Sequence, residues 1–330
     1  MKVSTVIYRE RPRVCLEAAG RLVDVLAVRK AVVEKAPGHA LADFRPGPDF
    51  VDNFLNTPDA PGFLARVEEV VQGAFARNEA ERLGPAVIAP GDCTYEPPVR
   101  RGPLYFGAIQ NSPLFWRQRP LARIDLGFIA GFARARGAIS GHMGRVHIPG
   151  YTTSFRCAAE LGVVMAKTAR NLTEAEAMDH VFGYTCVNDM IGNCWRGFAA
   201  DRHPSGRPTR FELLVNSYYG RCTQGFGPVG PHIVTKEEVP DPYNLLMYTR
   251  KNGEVWDRSF SNSMLVGIER CLALLSSFVT LPAGAVVHMG SMGRDGIVLA
   301  EDQPLGPDDH VEIEIERVGR LKTFFTDHRF

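Results

Sequence analysis

The chain has 330 residues, of which 45% are hydrophobic and 23% charged, so it can build a large core in more than one domain and fewer than three. Its 38 basic and 37 acidic residues leave a net charge of +1, which argues against nucleic-acid and anionic-membrane partners because both favour a clustered basic excess. Seven cysteines without a Cys-x-x-Cys pair, no signal-like N-terminus and no run of about 18 apolar residues predict a reduced, cytoplasmic protein without a membrane span.

The first part of the chain is predicted to begin with short strands, since β-rich runs alternate there with turn residues. Residues 48–80 carry two apolar stripes with helical spacing, and the Pro-Asp-Ala-Pro-Gly segment at 58–62 is expected to separate them. A stretch rich in Pro, Gly and Asp at 85–98 predicts a linker. We therefore expect a small N-terminal α+β domain with its linker at 1–98 and a larger domain at 99–330. The early strands are predicted at Val3–Tyr8, Arg13–Glu17 and Arg21–Leu26.

The second part is predicted to be richer in strands than in helices. Thr173 and Glu176 have the spacing of a capping box, which starts a short helix, and Gly183 is expected to break that helix. Residues 311–316 alternate as a half-buried strand does. Many strands with few helices predict a β-rich α+β fold. The other predicted elements are strands at 104–109, 160–167, 184–187 and 286–287, and amphipathic helices at 124–136 and 264–278.

Several motifs occur in the order in which they stand in one enzyme family. They are Glu160-Leu161, Gly183-Tyr-Thr185, Asn188-Asp189, Pro228-Val-Gly-Pro231, Thr280-Leu-Pro-Ala-Gly284 and Gly290-Ser291. In these motifs the chain resembles the fumarylacetoacetate hydrolase superfamily, over roughly residues 99–330 and more loosely over 1–30. The resemblance implies a mixed β-sandwich or roll as the C-terminal domain, behind a small N-terminal domain. It also implies a small-molecule 2-oxo or 1,3-diketo acid as substrate, and a homodimer.

The resemblance further implies a divalent metal, Mg²⁺ or Mn²⁺, bound by carboxylates. Glu160 and Asp189 match two of the family's ligands, and Ala158 stands where the family has another glutamate. Two carboxylates and water can still hold Mg²⁺, although we expect weaker affinity unless substrate oxygens complete the coordination. Two plainer interpretations stay open: Glu160 could form a salt bridge, for example with Arg221, and Asp189 could be a turn residue.

Other departures from the family pattern concern the groups that handle the substrate. Arg221 stands at a lysine position, where it keeps the charge and suits a carboxylate or enolate but cannot act as a proton donor. Phe115 stands where many members have a lid histidine that activates water. His147, which shares a Gly-rich stretch with His142, is the candidate replacement base. We predict catalytic roles for Arg221 and His147, and substrate contacts for Gln224, Ser291 and Arg196.

Plainer interpretations also exist for these residues. Arg221 could be a surface charge, and loop histidines are usually not catalytic. Cysteines beside the motifs are expected to be buried free thiols rather than nucleophiles. They are Cys157, Cys194 and Cys222. His288, His232 and Tyr219 are predicted to be packing or supporting groups.

The main functional hypothesis is an enzyme that acts on a 2-oxo or 1,3-diketo acid through an enolate, by class a C–C bond hydrolase. Loss of the lid base leaves decarboxylation, isomerisation or tautomerisation, and cyclisation of the same acids as alternatives. A degenerate member that binds a ligand or partner without catalysis is a further alternative, as is metal-free catalysis through Cys194 or His147.

Overall fold

A computed structural model describes residues 1–108, 111–112, 131–151, 155–192, 218–292, 297–298 and 305–326. The strands in these ranges are β1 (Lys2–Tyr8), β2 (Arg11–Ala18), β3 (Arg21–Asp24), β4 (Val87–Ile88), β5 (Thr94–Tyr95), β6 (Tyr105–Ala108), β7 (Gly131–Ala133), β8 (Ile139–Ser140), β9 (Gly144–His147), β10 (Phe155–Cys157), β11 (Ala159–Met165), β12 (Val181–Asn188), β13 (Ile191–Gly192), β14 (Gly227–Thr235), β15 (Leu246–Lys251), β16 (Glu254–Phe260), β17 (Val286–His288), β18 (Ile297–Val298), β19 (His310–Ile315) and β20 (Gly319–Thr326).

The helices are α1 (Val25–Lys35), α2 (Ala60–Ala76), α3 (Glu174–Ala177) and α4 (Ile268–Phe278) among the described residues, which also include a helical stretch at 218–222. Short 3-10 helices occur at Ala40–Ala42, Phe54–Asn56, Ala80–Ala86, Pro90–Asp92, Arg136–Ala138, Met178–His180, Lys236–Glu238 and Ser261–Ser263. Strands thus outnumber helices in the described part of the chain, which confirms the predicted β-rich α+β fold.

The largest sheet runs in the order β4-β3-β2-β1-β14-β12-β11-β17-β6-β7, and β5 and β8 pair with β1 and β14. Its first strands come from the start of the chain, and β1 joins the later strands through antiparallel pairing with β14. Helices α1 and α2 share a buried apolar cluster with this sheet, in which the Phe44 and Phe63 rings stack at 3.8 Å. The boundary at residues 98 and 99 stays a prediction.

A second sheet, in the order β16-β15-β19-β20-β9, shares an apolar core with strands β11, β12 and β14. Val311, Ile313 and Ile315 point into this core, as the alternating pattern predicted. The antiparallel pair β11–β12 lies in the large sheet, and every residue of both strands is buried. Burial on both faces explains why their sequences are nearly continuous apolar runs. A three-stranded sheet, β13-β10-β18, completes the pairing.

Several predicted elements are confirmed with shifted ends. The third strand ends at Asp24, two residues early, because the Asp24 carboxylate accepts from the backbone amides of Leu26 and Ala27 and begins α1. Helix α2 begins at Ala60, inside the predicted separator, with proline in its first turn, where a missing N–H costs nothing. The capping box at Thr173 is present, and the predicted helix at 264–278 begins at Ile268.

The predicted helix break at Gly183 and the predicted helix at 124–136 are wrong in the described residues. Gly183 does not break a helix, because it lies within β12, where an added Cβ would stand 2.1 Å from the carbonyl oxygen of Val234. The glycine therefore lets β12 approach β14. The predicted helix at 124–136 is replaced over its described end by β7 and a 3-10 turn. Its first residues, 124–130, lie outside the described residues.

The described residues contain no helix long and apolar enough to cross a membrane. The cysteines among them carry free thiols, at positions 15, 93, 157, 186, 222 and 271. Cys157 is buried, and burial raises the pKa of its thiol to about 12, which agrees with the structural interpretation of this cysteine.

Candidate functional site

Strand register brings the candidate site together on one face of the large sheet. Gly162 of β11 is opposite His288 of β17, His288 is opposite Gly107 of β6, and Gly107 is opposite Phe132 of β7. Glu160 lies two residues before Gly162 and so points to the same face. A Cβ on Gly107 would stand 2.3 Å from the His288 ring and 2.5 Å from the Phe132 ring. Glycine at this position therefore makes room for two larger rings.

Glu160 and His288 form the first side-chain pair of the site, and each of them is 2% exposed. The Nδ1 atom of His288 is hydrogen-bonded to the Oε2 atom of Glu160. Burial raises the pKa of the Glu160 carboxyl above its ordinary value, and the charge of Asp189 adds to this rise, while His288 and Arg221 oppose it. The other ring nitrogen, Nε2, is buried and has no hydrogen-bond partner within the described part of the chain. Glu160 therefore orients the ring at one nitrogen, and the other nitrogen keeps its hydrogen-bonding capacity.

The second group is an ion cluster around Asp189, which follows β12 directly. Arg134 donates from Nη2 to Oδ1 of Asp189, and Arg221 donates from Nε to Oδ2 at 3.1 Å and to Oδ1 at 3.3 Å. Burial alone would raise the pKa of Asp189, but the two guanidinium groups outweigh it and hold that pKa below its ordinary value. Asp189 is therefore an ionised carboxylate between two cations.

Arg134 is fixed in the interior by more than this ion pair. Its Nη1 donates to the carbonyl oxygens of Arg221 and Phe226, both at 2.8 Å, and to that of Met190 at 3.5 Å. The three carbonyls belong to three segments: the end of β12, the stretch at 218–222 and the entry to β14. Arginine stays protonated in proteins, so this part of the core contains a permanent positive charge.

Phe132 is the shared apolar wall of both groups. The Arg221 guanidinium carbon lies 4.5 Å from the Phe132 ring centroid and that of Arg134 lies 5.2 Å away. The His288 ring meets it edge-on, with centroids 5.5 Å apart. Cations over an aromatic face are attracted by its quadrupole, and the ring excludes water from the ion pairs. Its packing therefore holds the Glu160–His288 pair next to the ion cluster around Asp189.

The structure brings three of the residues predicted from the sequence, Glu160, Asp189 and Arg221, into this site. The open interpretation of Glu160 as a partner of Arg221 needs correction, since Glu160 bonds to His288 and Arg221 bonds to Asp189. Arg221 is buried rather than a surface charge.

The other predicted residues lie elsewhere or outside the described ranges. Ser291 is half-buried after Gly290, and Gln224 is exposed in the turn before β14. His147 ends β9, where its Nδ1 lies 2.8 Å from Oγ1 of Thr326. Arg196, Cys194 and Phe115 lie outside the described residues. The roles given to these residues stay predictions.

Sequence reasoning missed His288, Arg134 and Phe132. His288 could have been recognised, because it is a polar residue directly after the apolar Val286 and Val287. A buried polar group needs a partner, so this position indicates a hydrogen-bonded histidine. His288 was instead predicted to be a packing or supporting group. Arg134 and Phe132 were assigned to a helix, and no local pattern distinguishes them.

The residues of this site do not fit the three-carboxylate metal centre that the resemblance implies. Both Asp189 oxygens accept hydrogen bonds from guanidinium groups, Glu160 is bonded to His288, and Ala158 provides a methyl group. Across the described residues no group of three or more His, Cys, Asp or Glu side chains could hold a metal ion. A divalent cation prefers free carboxylate oxygens, and here it would meet two positive charges.

Comparisons with known proteins agree with this fold. Residues 114–326 match the family model described as fumarylacetoacetate (FAA) hydrolase C-terminal. An uncharacterized protein of Staphylococcus epidermidis is 28% identical over 198 residues, and the match spans 59% of this chain and 60% of that protein's length.

Two solved structures cover almost the whole chain. Maleylpyruvate hydrolase from Sphingobium sp. SYK-6, in complex with manganese(II) ion and pyruvate, has a TM-score of 0.66 at 22% identity and covers 99% of each chain. The 5-carboxymethyl-2-hydroxymuconate delta-isomerase from Mycobacterium smegmatis also has a TM-score of 0.66, at 17% identity, and covers 99% of this chain and 100% of its own. At these identities the likeness shows a shared fold.

Proposed function

This chain belongs to the fumarylacetoacetate hydrolase family, and we propose that it is an enzyme that forms an enolate from a small 2-oxo or 1,3-diketo acid. Within that class we favour keto–enol tautomerisation or isomerisation, in which a proton moves and no water attacks. The observation that carries the proposal is the buried Glu160–His288 pair beside the guanidinium groups of Arg134 and Arg221.

In the proposed reaction His288 is the base. Its Nε2 takes a proton from the carbon next to the oxo group, and the electrons of that C–H bond move to form the enolate. Glu160, bonded to Nδ1, orients the ring and stabilises its positive charge while it carries the proton. The proton on Nε2 exchanges with the solvent, and a proton returns from Nε2 to carbon or to oxygen, which completes the isomerisation with no added reactant.

The ion cluster around Asp189 binds and stabilises the negative charge of the substrate in this proposal. Arg221 orients the acid and stabilises the enolate oxygen, because a guanidinium matches the geometry of carboxylate and enolate oxygens. Asp189 fixes the direction of the Arg221 side chain, and the Phe132 ring supports its planar face at 4.5 Å. Ser291 and Gln224 are the further substrate contacts that we propose, with Arg196.

Hydrolysis of a C–C bond is the competing outcome for the same enolate-forming site. It needs a base that activates water, and the lid position where family members have a histidine is Phe115 in this sequence. Family membership favours the hydrolase and this substitution favours the isomerase. The experiment must therefore record proton exchange and bond cleavage together.

The test is nuclear magnetic resonance in D₂O with pyruvate, oxaloacetate and acetylpyruvate, each corrected for the enzyme-free reaction. We expect faster deuterium incorporation next to the oxo group without cleavage products. His288→Asn and Glu160→Gln should each slow it by about a hundredfold or more, the usual contribution of general base catalysis. Cleavage of acetylpyruvate to pyruvate and acetate would identify a hydrolase instead.

His232→Asn is the matched control for His288. Both histidines are buried next to a glutamate, but His232 lies 3.5 Å from Glu17 and bonds to the Val318 carbonyl group. This variant should keep the exchange rate of the unmodified protein. If none of the acids exchanges although oxalate binds, the chain is a ligand-binding protein and the enzymatic proposal is wrong.

The proposal keeps two further expectations, a homodimer and a cytoplasmic location. The divalent ion, Mg²⁺ or Mn²⁺, that the resemblance implies at Glu160 and Asp189 does not fit the hydrogen bonds of these carboxylates and is not part of the proposal. The manganese complex of maleylpyruvate hydrolase supports a metal in one protein of this fold. Running every exchange assay with EDTA and with Mn²⁺ tests the metal, and sedimentation equilibrium tests the dimer.

A further inference from the structure

The guanidinium of Arg134 has the surroundings of a bound cation. Four oxygen acceptors face its two terminal nitrogens: one from the Asp189 carboxylate and three from backbone carbonyls. Carboxylate and carbonyl oxygens are also what proteins offer to hard metal ions. The Arg134 side chain is 1% exposed, so its charge is balanced by these groups rather than by water.

Asp189 is consequently already neutralised from two sides. A divalent ion at this carboxylate would have to displace the Arg134 and Arg221 hydrogen bonds and would bring two more positive charges beside guanidinium groups that cannot lose their protons. Repulsion between such charges is strong in a buried site because little water screens them. Ala158 offers no oxygen in its side chain to compensate.

We propose that Arg134 replaces the divalent cation, so that this site binds an oxo acid without a metal ion. Arg134 is a positioning residue: it neutralises Asp189, and Asp189 in turn aligns Arg221. The inference rests on the proposed function in one respect, since it takes the ligand to be an oxo acid or its enolate.

Oxalate, a planar mimic of an enolised oxo acid, is the probe. Isothermal titration calorimetry should show oxalate binding to the full chain in EDTA, with an affinity within about twofold of that in excess Mn²⁺ after subtraction of the oxalate–Mn²⁺ blank. Electron paramagnetic resonance of free Mn²⁺ should show no stoichiometric uptake by the unmodified protein.

Oxalate binding that strengthens about tenfold or more with Mn²⁺ would overturn the inference. So would stoichiometric Mn²⁺ uptake that disappears in Asp189→Asn. The proposed function would survive either result. Absence of oxalate binding in both conditions would count against the oxo-acid ligand, while the Mn²⁺ uptake measurement would still decide whether Arg134 replaces the metal.

Two substitutions distinguish positioning by charge from mere packing. Arg134→Lys keeps the cation and should retain metal-independent oxalate binding. Arg134→Gln removes it, so oxalate binding in EDTA should fall at least about tenfold and Mn²⁺ should restore it. Arg100→Gln is the control, because Arg100 pairs with Asp52 and Glu96 outside the site. Equal losses in the Lys and Gln variants, with no response to Mn²⁺, would contradict the inference. If Arg134→Gln does not fold, the titrations of the unmodified protein stand alone.

Discussion

Replacing Asp189 by asparagine is the sharpest test of the ion cluster. The substitution keeps the shape of the side chain but removes the charge that lies between Arg134 and Arg221. Both guanidinium groups would then face the same Phe132 ring without that carboxylate. Neither arginine can lose its proton, so the imbalance cannot be relieved by titration.

The expected loss in the free energy of unfolding follows from the contacts. Breaking a buried ion pair by removing one partner costs about 3–5 kcal/mol, and we expect the upper end because two cations lose their partner. Arg134→Met leaves the Asp189–Arg221 pair intact, and its cost comes mainly from two carbonyl groups that lose a charged donor at 2.8 Å. At about 1.5 kcal/mol for each such bond, this amounts to about 3 kcal/mol. The double variant should cost at least about 2 kcal/mol less than the sum of the single variants, since removing both members also removes the uncompensated charge.

The assay is urea unfolding followed by fluorescence and by far-ultraviolet circular dichroism, with coincident transitions required before a free energy of unfolding is taken. The control is Asp52→Asn, which weakens a pair with the half-buried Arg100 and should cost less than about 1 kcal/mol. Additivity of the Asp189 and Arg134 substitutions within about 0.5 kcal/mol would refute the reasoning, because independent sites behave in that way.

Three further substitutions test the glycine next to His288, the cap of helix α1 and a buried histidine. Gly107→Ala would place a methyl group 2.3 Å from the His288 ring, so deuterium exchange should fall at least about tenfold, whereas Gly38→Ala, with open space around it, should leave the rate unchanged. Asp24→Ala removes the cap of α1 and should lower the free energy of unfolding by about 1–2 kcal/mol in urea titrations, while Asp24→Asn, which still offers an oxygen to the capped amides, should cost less than half of that. Burial lowers the pKa of His142 to about 4, and its Nδ1 accepts from the Lys322 amide at 3.0 Å. Because this pKa lies below that of the unfolded chain, the free energy of unfolding should fall as the pH falls from about 6.5 to about 4, and His142→Gln should reduce that fall. Identical pH profiles for this variant and the unmodified protein would contradict the assignment.

Local sequence patterns predicted the strands and helices whose burial is regular. Strands β11 and β19 were found because one is mostly apolar and the other alternates, and both patterns reflect which faces are buried. The same reasoning failed at α1, since Val25 and Leu26 continue the apolar run of β3 and the cap at Asp24 was overlooked. It failed at Gly183 because the close approach of Val234 is a tertiary contact that no local pattern contains.

The sequence identified Glu160, Asp189 and Arg221, but not the other partners of the two carboxylates. Glu160 and Asp189 lie in family motifs, but Arg134 and His288 come from distant parts of the chain. Arg134 is 55 residues from Asp189, and His288 is 128 residues from Glu160. Only the order β12-β11-β17-β6-β7 makes these residues neighbours. Spacing along the sequence carries no information about that order.

The same sheet order explains how the two carboxylates of this site reach their partners. The register places Gly162 and Gly107 on either side of His288, and Gly107 also faces Phe132. Glycine on the neighbouring strands leaves space above the sheet, so a ring at 288 can reach Glu160 without moving the backbone. Arg134 directly follows the end of β7, and its side chain donates a hydrogen bond to Asp189. His288 and Arg134 thus give each carboxylate its own partner, so that Glu160 belongs to a hydrogen-bonded pair and Asp189 to an ion cluster.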